Sequence, residues 1–555
     1  MSSPPFCASI RAAFAARRFR LVCFIPPLAS KLVDERRDHK TMLDSRPAES
    51  IFQEGRNCRR VTHADRVAFV VDGEDYFKVF MQAAERATES IILLAWDFNS
   101  KARLSFDAGG DGPLLGDFLN DLAKRKRHLR IYVLDWDFPA IYASDRESPA
   151  LVRLGWGWKP HRRVHLKFDN THPPGGSHHQ KILLIDDALA FCGGLDLTCQ
   201  RWDTCEHAAN DPRRVTKDKP YPPFHDMMIV VDNDAARELG AIARERWRSA
   251  TKEEIPLASG GYDPWPPELQ PELTNMQVAI SCTAPQSDPH VEVREIEALY
   301  LDMIARAKHY IYIENQYFTA HKIGEALAAR LKEAGGPEII VVTRLLSHGW
   351  LEENTMGVLR NKMIERMRAA DSEGRFQVYF PHMPGLAAET CIDVHSKMMA
   401  VDDEYLRIGS ANLANRSMGL DTECDVALEA RGGDRVMKVI RHFRDSLIAE
   451  HLGVEVDAFA REREARGSLQ HAIAALHSDA RTLEPLVILE HYSDAAISVA
   501  ELTDPERAVG IDRLMAQFSF GAEFHRVPRA WRKLGLLAAL SAGLAVAWRF
   551  ARRGK

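Results

Sequence analysis

Two stretches of the chain show the same order of hydrophobic and polar positions. In residues 74–98 apolar residues recur at intervals of three and four and are followed by an uninterrupted apolar run, and residues 294–318 repeat this order. The first spacing is typical of an amphipathic helix, and the short apolar run is typical of a buried strand. We therefore predict a helix and then a strand in each stretch, with the strands over 91–95 and 310–313. The predicted helix faces are Phe77, Phe80, Met81 and Ala84, and Ile296, Leu299, Tyr300, Met303, Ile304 and Ala307.

Three further strand patterns follow in the same order in each half. The first half reads RIYVLDW, RVHLKF and KILLID, and the second half reads EIIVVTR, FQVYF and KMMAVD. The apolar tail of the last of them, KILLID and KMMAVD, is typical of a strand covered on both faces. The repeated alternation predicts an α/β fold of two pseudo-symmetric lobes, each a mostly parallel or mixed sheet flanked by helices.

Proline content and charge divide the chain into candidate domains. Five prolines lie between positions 256 and 271, which predicts a linker between the lobes. After about residue 430 the pattern becomes helical and charged. We therefore predict the following organisation: a first lobe at 58–250, the linker at 251–275, a second lobe at 276–430 and a helical C-terminal region at 431–530.

The two ends of the chain have unusual compositions. Residues 1–41 carry many arginines around a short apolar run that two prolines interrupt, which makes a poor signal peptide. We interpret them as a disordered leader, or as sequence upstream of a true start at Met42. Near the other end, Leu534 to Trp548 is uncharged and has basic residues on both sides.

The apolar run near the C-terminus is short for a membrane span. Fifteen helical residues reach about 22 Å, against a hydrocarbon core of roughly 30 Å, although flanking basic side chains can extend the reach. We expect a membrane anchor at 534–550, and a buried helix closing the last domain is the alternative. The expected location is the inner (cytoplasmic) membrane, with the cytoplasm as the alternative, and the orientation stays open.

Composition narrows the class of protein. The chain is 46% hydrophobic and 27% charged, as in globular proteins, and its formal net charge of −5 gives no general reason to expect nucleic acid as a partner. Nine scattered cysteines without a CxxC pair argue against a disulfide framework or a cysteine zinc site, and favour a reducing compartment. The motifs GxSxG, GxxxxGK[ST] and GxGxxG are absent, so serine hydrolases, P-loop proteins and dinucleotide-binding proteins lack support.

A sparse triplet of His, Lys and Asp occurs at equivalent places in the two halves of the repeat. On a strand, a His and a Lys two residues apart face the same side. An imidazole can act as nucleophile or as acid and base near neutral pH, and a lysine is a cation suited to a phosphate oxygen. We interpret the Asp as an ion-pair partner that orients the loop. The predicted catalytic set is His179, Lys181, Asp186, His395, Lys397 and Asp402.

Small and polar residues follow each triplet. Gly193 and Gly409 each lie 14 positions after the triplet histidine, and residues without a side chain let backbone amides approach an anion. Ser410 and Asn412 offer hydroxyl and amide donors, whereas their counterparts are chemically different, so the site is not fully symmetric. The predicted phosphate-binding set is Gly193, Gly194, Asp196, Gly409, Ser410 and Asn412.

The paired H-x-K-x4-D motif, followed by GS-x-N or GG-x-D, resembles the phospholipase D superfamily. IYIENQYF at 311–318 and VHSKMMAVDD resemble its lipid-acting branch, which includes bacterial cardiolipin synthases, and the likeness runs from about residue 58 to about residue 455. The resemblance implies one active site at the interface of the two lobes, complete in a monomer and independent of metal or other cofactor. It also implies that His179 forms a phosphohistidine, that His395 is acid and then base, and that Lys181 and Lys397 neutralise the phosphate.

The resemblance further implies a carboxylate that orients each histidine. Glu423 occupies the position of that acid in GLDTECDVAL, and laying FHDMMIVV over DTECDVAL pairs it with Asp226. A longer insertion in the first half leaves Glu206 and Asp203 as competitors.

The predicted function is hydrolysis of glycerophospholipids to phosphatidic acid and a free head group, with transfer to other alcohols. Cardiolipin synthesis and nucleic-acid phosphodiester hydrolysis are the alternatives. The expected partner is a phospholipid at a membrane surface, and nucleic acid is not expected.

Other polar residues near the motifs have a plainer interpretation. His172, His178 and His179 lie in THPPGGSHH without a carboxylate at ligand spacing, so we do not predict a metal there and expect His178 to bond water or backbone. Trp96, with Asp97, is interpreted as a packed aromatic side chain. The residues of 314–316 (Glu314, Asn315 and Gln316) are equally compatible with lining the site and with local hydrogen bonding.

Overall fold

One 16-stranded sheet runs through the part of the chain that the structure, a computed structural model, describes. The described residues are 49–107, 110–137, 157–286, 291–346, 353–387, 390–488, 497 and 500–508. The predicted leader at 1–41, the candidate anchor at 534–550 and the end of the predicted C-terminal region lie outside them. Within these residues no helix has the length and apolar character needed to cross a bilayer.

The elements of each half follow one another in the predicted order of helices and strands. The first half contains β1 (Arg60–Val71), α1 (Gly73–Arg86), β2 (Ser90–Ala95), α2 (Leu115–Arg125), β3 (Arg130–Trp136), β4 (Val164–Asp169), β5 (Ile182–Ile185), β6 (Leu189–Gly193), β7 (Met227–Asp232) and α3 (Asn233–Thr251). The second half contains β8 (Leu273–Ala284), β9 (Val293–Arg294), α4 (Glu295–Arg306), β10 (Tyr310–Asn315), α5 (His321–Lys332), β11 (Glu338–Val342), α6 (Val358–Ala370), β12 (Phe376–His382), β13 (Lys397–Val401), β14 (Tyr405–Gly409), α7 (Asn415–Gly419) and β15 (Glu423–Glu429). The C-terminal part adds α8 (Asp434–Leu452), α9 (Val456–Arg466), α10 (Leu469–Ala475) and β16 (Thr482–Pro485).

The two lobes have the same strand order and meet edge to edge. The first lobe runs β4-β3-β2-β5-β6-β7-β1, and the second runs β12-β11-β10-β13-β14-β15-β8. Strands β1 and β8 pair antiparallel, with Arg60 opposite Ile280 and Val67 opposite Leu273, and so join the lobes into one sheet. Strand β16 extends the sheet beyond β12, and β9 pairs with β8.

Each lobe has a mixed sheet, because only part of it is built from crossover connections. Strands β2, β3 and β4 are parallel, as are β10, β11 and β12, whereas the triplet strands β5 and β13 run antiparallel to β2 and β10. The short hairpins β5–β6 and β13–β14 add a further antiparallel pair in each lobe. The prediction of two pseudo-symmetric α/β lobes with a helical C-terminal region is confirmed, in its mixed-sheet form.

Helices cover both faces of the sheet, which explains the continuous apolar runs. Helices α1 and α2 cover one face of the first lobe, and α4, α5 and α6 cover the corresponding face of the second. On the opposite face α3 and α8 share one apolar cluster, in which the rings of Phe69 and Phe443 have centroids 4.3 Å apart. All residues of β5 and β13 are buried.

The proline-rich segment at 252–272 connects α3 to β8 and packs on the first lobe. Arg66 of β1 pairs with Asp263 at 2.9 Å, and its guanidinium lies 4.5 Å from the ring centroid of Trp265. The segment is therefore held against the sheet, while the domain boundaries themselves stay predictions.

Candidate active site

Both triplet histidines lie directly before a central strand of their lobe. His179 precedes β5 and is 9% exposed, and His395 precedes β13 and is 6% exposed. The backbone of each is held by the other lobe: His179 N donates to Thr422 O at 3.0 Å, and His395 N donates to His225 O at 2.8 Å. These contacts fix both imidazoles at the lobe interface.

Each histidine is paired with a buried carboxylate from the opposite lobe. His179 Nδ1 lies 3.0 Å from both carboxylate oxygens of Glu423, and His395 Nδ1 lies 2.6 Å from Oδ2 of Asp226. Both acids are fully buried. Because Nδ1 is engaged by a carboxylate, Nε2 is the nitrogen left for chemistry in each ring.

The two competing acids of the first half lie elsewhere. Asp203 is buried, but it pairs with Arg214 at 2.8 Å and with Nδ1 of His207 at 2.8 Å. Glu206 is exposed. The structure therefore brings Asp226, and neither competitor, to His395.

The two triplet lysines are buried beside the histidines but have different partners. Lys181 Nζ pairs with Asp196 Oδ2 at 3.2 Å, whereas Lys397 Nζ donates to Oε1 of Gln316 at 3.1 Å and also to the carbonyl of His395. Asp196 is thus a partner of the lysine, which corrects its predicted role as a phosphate ligand. A carboxylate cannot donate to a phosphate, and here it holds the ammonium in place.

Burial and the two lysines set the protonation of the site. Burial lowers the pKa of His179 and His395 well below the usual value, and the charges of Lys181 and Lys397 lower both further. Burial also raises the pKa of Glu423 to about 8 and that of Asp226 to about 7. Near neutral pH each His–carboxylate pair therefore shares its proton between the two groups. Such a pair is suited to general acid–base catalysis, in which a proton is taken up and released.

The pKa of Lys397 is lowered to about 7, first by burial and then by the charge of Lys181, although Asp226 and Glu423 act in the opposite sense. An ammonium with so low a pKa is stabilised when an anion arrives beside it. The site is therefore prepared for a negatively charged substrate group.

The predicted phosphate-binding glycines have a different role. A Cβ at Gly194 would overlap the carboxylate of Asp226, one at Gly409 would overlap that of Asp425, and one at Gly193 would overlap the carbonyl of Met227. The amide of Gly194 donates to Met227 O at 3.1 Å, and that of Ser410 donates to Cys424 O at 3.0 Å. Gly194 and Gly409 therefore make room for a neighbouring acid and Gly193 for a backbone carbonyl, while the amides of Gly194 and Ser410 are used by backbone hydrogen bonds.

The two polar members of the second GS-x-N element also differ in role. Ser410 Oγ donates to Oε2 of Glu423 at 2.5 Å and accepts from Cys424 N at 3.0 Å, so its hydroxyl orients the carboxylate. The side-chain oxygen of Asn412 is buried without a hydrogen bond from the described residues. Of the predicted set, Asn412 alone keeps a buried polar atom that no described residue engages.

The triplet aspartates lie at the far end of their strands. Asp186 accepts from the backbone amides of Thr88, Glu89 and Ser90 at 2.6–2.8 Å. Asp402 accepts from Lys308, His309 and Tyr310 at 2.5–2.8 Å. Both predictions, of a catalytic acid and of an ion-pair partner, are wrong for these residues: the carboxylates satisfy the backbone where β2 and β10 begin.

Several neighbouring side chains differ from the sequence interpretation. Trp96 lines the site, since its ring centroid is 6.0 Å from that of His179 and 5.8 Å from Lys181 Nζ. His178 bonds side chains: its Nε2 is 3.1 Å from Asp169 and its Nδ1 is 3.0 Å from Thr422 Oγ1.

Of residues 314–316, some line the site and others make local hydrogen bonds, the two interpretations that the sequence leaves open. Gln316 holds Lys397, Asn315 accepts from the amide of Leu413 at 2.9 Å, and Glu314 lies in a buried histidine network. Alternation of side chains along β10 separates Glu314 from its neighbour Asn315.

The comparisons with known proteins agree with this geometry. Residues 300–447 match the family model described as "Cardiolipin synthase, PLD-like domain". Phospholipase D A of Dictyostelium discoideum is 27% identical over 475 residues, which are 72% of this chain and 36% of that protein. Phospholipase D1 of Saccharomyces cerevisiae is 23% identical over 499 residues, which are 70% of this chain and 29% of that protein. The alignments thus span about a third of the length of these relatives.

A solved structure shares the fold. The crystal structure of phosphatidylserine synthase from Haemophilus influenzae Rd KW20 matches with a TM-score of 0.51 at 12% identity, over 83% of this chain and 95% of that one. The likeness covers both lobes and concerns the fold alone.

Proposed function

Since the chain belongs to the phospholipase D superfamily, we propose that it cleaves the phosphodiester of glycerophospholipids through a phosphohistidine intermediate. The products are phosphatidic acid and a free head group, and another alcohol can replace water. The observation that carries the proposal is the pair of buried His–carboxylate contacts at 3.0 and 2.6 Å, each with a lysine beside it.

In the first step Nε2 of His179 attacks phosphorus. In the reactive form its Nδ1–H donates to Glu423, so the lone pair lies on Nε2. A P–N bond forms while the bond from phosphorus to the head-group oxygen breaks, and His395 gives its proton to the departing oxygen. Asp226, with its pKa raised to about 7, supplies this proton through the 2.6 Å contact with Nδ1.

In the second step the same groups act in reverse. His395 takes a proton from water or an alcohol, whose oxygen attacks phosphorus as the P–N bond breaks. His179 leaves as neutral imidazole, which its lowered pKa favours. The ammonium groups of Lys181 and Lys397 neutralise the charge on the phosphoryl oxygens in both steps, and burial makes this interaction stronger than in water.

Phosphatidyl transfer to phosphatidylglycerol, which makes cardiolipin, is a second candidate. It uses the same intermediate with a lipid alcohol as acceptor. The description of the family model that covers 300–447 favours it.

Attachment to a membrane is part of the proposal, because the substrate is a lipid. The uncharged run from Leu534 to Trp548, with basic flanks, supplies the anchor. Co-sedimentation with anionic vesicles tests this point: the full chain pellets with the vesicles, and a chain ended after residue 530 stays in the supernatant. Equal sedimentation of the two chains contradicts the anchor.

Lipid analysis tests the activity. The purified chain is incubated with vesicles of phosphatidylcholine and phosphatidylglycerol in the presence of ethanol, beside His179→Ala and His395→Ala. His165→Ala, a half-buried histidine on β4, is the matched control. Mass spectrometry of the parent and the control shows phosphatidic acid and phosphatidylethanol, and both are absent in the two triplet variants.

The other outcomes separate the alternatives. Cardiolipin and free glycerol from phosphatidylglycerol identify a synthase. Turnover in His179→Ala equal to the parent's refutes the catalytic role of the triplet. Absence of any lipid turnover by the parent, with cleavage of a nucleic-acid diester, overturns the proposed substrate.

A further inference from the structure

A buried cluster of histidines and carboxylates lies behind the candidate active site. Asp72 follows β1, His207 and His225 lie in the connection between β6 and β7, and Glu450 is in the last turn of α8. The first three side chains are at most 2% exposed, and that of Glu450 is 13% exposed. We propose that these four side chains bind one zinc ion, which holds the first lobe and α8 together behind the site.

The spacing of the four ligand atoms fits a tetrahedral ion. His225 Nδ1 is 3.0 Å from Asp72 Oδ1 and 3.2 Å from Glu450 Oε1. His207 Nε2 is 3.2 Å from Glu450 Oε1 and 3.5 Å from Asp72 Oδ2. Zinc bonds of about 2.0–2.1 Å to nitrogen and oxygen in a tetrahedron separate the ligand atoms by about 3.3 Å. The observed separations lie on both sides of that value.

The outer nitrogens of both histidines are fixed by other carboxylates. His207 Nδ1 is 2.8 Å from Asp203, which also accepts from Phe224 N and Arg214. His225 Nε2 is 3.0 Å from Glu314. An outer N–H donated to a carboxylate is the usual second partner of a histidine that binds zinc, because it directs the other lone pair at the metal.

Glu314 accepts the hydrogen bond from His225 and has no proton to donate in it. It also accepts from Tyr312 Oη at 2.6 Å, from Ser396 Oγ at 3.0 Å and from His451 Nε2 at 3.1 Å. With these three donors, the two carboxylate oxygens of Glu314 act as acceptors towards His225 as well. His225 therefore donates from Nε2 and turns Nδ1 towards the cluster.

The inner atoms lack ordinary hydrogen bonds among the described residues. Both side-chain oxygens of Asp72 and the Nδ1 atom of His225 are buried without an aligned hydrogen-bond partner, although they are only 3.0 Å apart. Two lone pairs that face each other at this distance repel unless a cation lies between them.

The charge of the surroundings matches a divalent ion. Four acids are close together (Asp72, Asp203, Glu314 and Glu450), and two guanidiniums face them: Arg214 lies 2.8 Å from Asp203, and Arg481 lies 3.5 Å from Glu450. With neutral histidines two negative charges remain. A zinc ion or two extra protons on the histidines can balance them.

The ligand types favour zinc over harder cations. Two imidazole nitrogens and two carboxylate oxygens suit zinc, whereas calcium and magnesium prefer oxygen ligands alone. His225 is also the neighbour of Asp226, so an ion here positions the backbone that carries the acid paired with His395. The inference goes beyond the proposed function and does not depend on which diester is cleaved.

Metal analysis of the full chain tests the proposal. Tag-free protein is dialysed against metal-free buffer and measured by inductively coupled plasma mass spectrometry. The parent is expected to contain about one zinc per chain. His207→Gln and Glu450→Gln are expected to contain less than a tenth of that amount, and His165→Gln, a histidine outside the cluster, retains the parental amount.

Spectroscopy of the parent keeps the test independent of how the variants fold. Cobalt-substituted protein is expected to show the visible absorption of a tetrahedral site, and X-ray absorption at the zinc edge is expected to show only nitrogen and oxygen at about 2.0–2.1 Å. Zinc retained in both folded variants, or a sulfur ligand, shows an adventitious ion only and overturns the proposal. A parent that neither contains zinc nor gains thermal stability on its addition shows that protons alone occupy the cluster. Lipid turnover is measured separately, so loss of one proposal leaves the other standing.

Discussion

The substitution Glu423→Gln tests whether the carboxylate sets the tautomer of His179. Ser410 Oγ accepts from the amide of Cys424, so its hydroxyl hydrogen points at Glu423 Oε2. In the variant the amide oxygen of Gln takes that position and the NH2 group faces Nδ1 of His179. An NH2 donor requires Nδ1 to carry the lone pair, which places the proton on Nε2 and removes the nucleophile.

The expected loss of kcat in Glu423→Gln lies between a lower and an upper bound. Loss of one hydrogen bond to a charged group costs about 1.5–3 kcal/mol, which is about 10- to 150-fold in rate. Selection of the wrong tautomer in a Ser-His-Asp triad lowers kcat by about 10⁴. Both Glu423 oxygens lie 3.0 Å from Nδ1, so the Gln oxygen beside Ser410 competes with the NH2 group for this nitrogen. We therefore expect a loss between the two bounds, about 10²- to 10⁴-fold in kcat, or about 2.7–5.5 kcal/mol.

The assay is single-turnover formation of phosphatidylethanol from labelled phosphatidylcholine, with excess protein. Glu429→Gln, the same substitution at the other end of β15, is the matched control and is expected to stay within about twofold of the parent. Circular dichroism and thermal unfolding establish that both variants are folded. A folded Glu423→Gln variant that keeps more than a tenth of the parental kcat refutes the tautomer argument.

The remaining predictions concern protonation, the triplet aspartates and one glycine. The pH profile of kcat/KM is expected to be bell-shaped with its maximum between about 7 and 8. Glu423 must lose a proton (pKa about 8), whereas Lys397 and Asp226 must each keep one (pKa about 7 for both). Lys397→Arg is expected to make the alkaline limb less steep, because only Asp226 then titrates there, and an unchanged limb contradicts the assignment. Asp186→Ala leaves three amides without an acceptor and is expected to lower the free energy of unfolding by about 2–4 kcal/mol. Asp402→Ala, at the more exposed position, is expected to lower it by about 1–2 kcal/mol. Both variants are expected to keep the activity per folded molecule, and loss of activity in a fully folded variant restores a catalytic role. Gly409→Ala places a methyl group on Asp425 and is expected to cost about 1–3 kcal/mol in chemical denaturation, and an unchanged midpoint contradicts the packing.

The helices, the strands and the paired lobes could be predicted from the sequence because they depend on local patterns. The apolar runs of β5 and β13 and the stripe at Phe77 and Phe80 are buried, as their spacing predicts. The repeat also made the triplet histidines and lysines recognisable. Each helix or strand signal lies within about 25 consecutive residues, and the repeat is recognised by comparing two such segments.

The pairing of acids with histidines could not be predicted in the same way. Glu423 is 244 positions from His179, and Asp226 is 169 from His395, so neither spacing is visible as a motif. The roles of Gly194 and Gly409 were misjudged for a related reason. Their lack of a side chain serves an acid on the next strand, which only the register of β6 with β7 and of β14 with β15 reveals.

One short sequence feature lies at the buried cluster. It is the Asp-Gly pair at 72–73, a turn signal directly after a strand pattern, and the structure gives Asp72 a φ of 65°, a conformation that non-glycine residues adopt rarely. Its partners come from the β6–β7 connection and α8, which no linear pattern connects.

The crossed contacts have a consequence for how such a protein can be divided. A fragment ending after α3 holds His179 and Asp226, and a fragment starting at β8 holds His395 and Glu423. Neither half contains a complete His–carboxylate pair, so we expect each half to be inactive by itself and an equimolar mixture to regain turnover only as a heterodimer. Two copies of one half that associate across the β1 edge exchange acids reciprocally. In a single chain that carries both halves, the two copies of the repeat can differ at matching positions, as Asp196 and Asn412 do here.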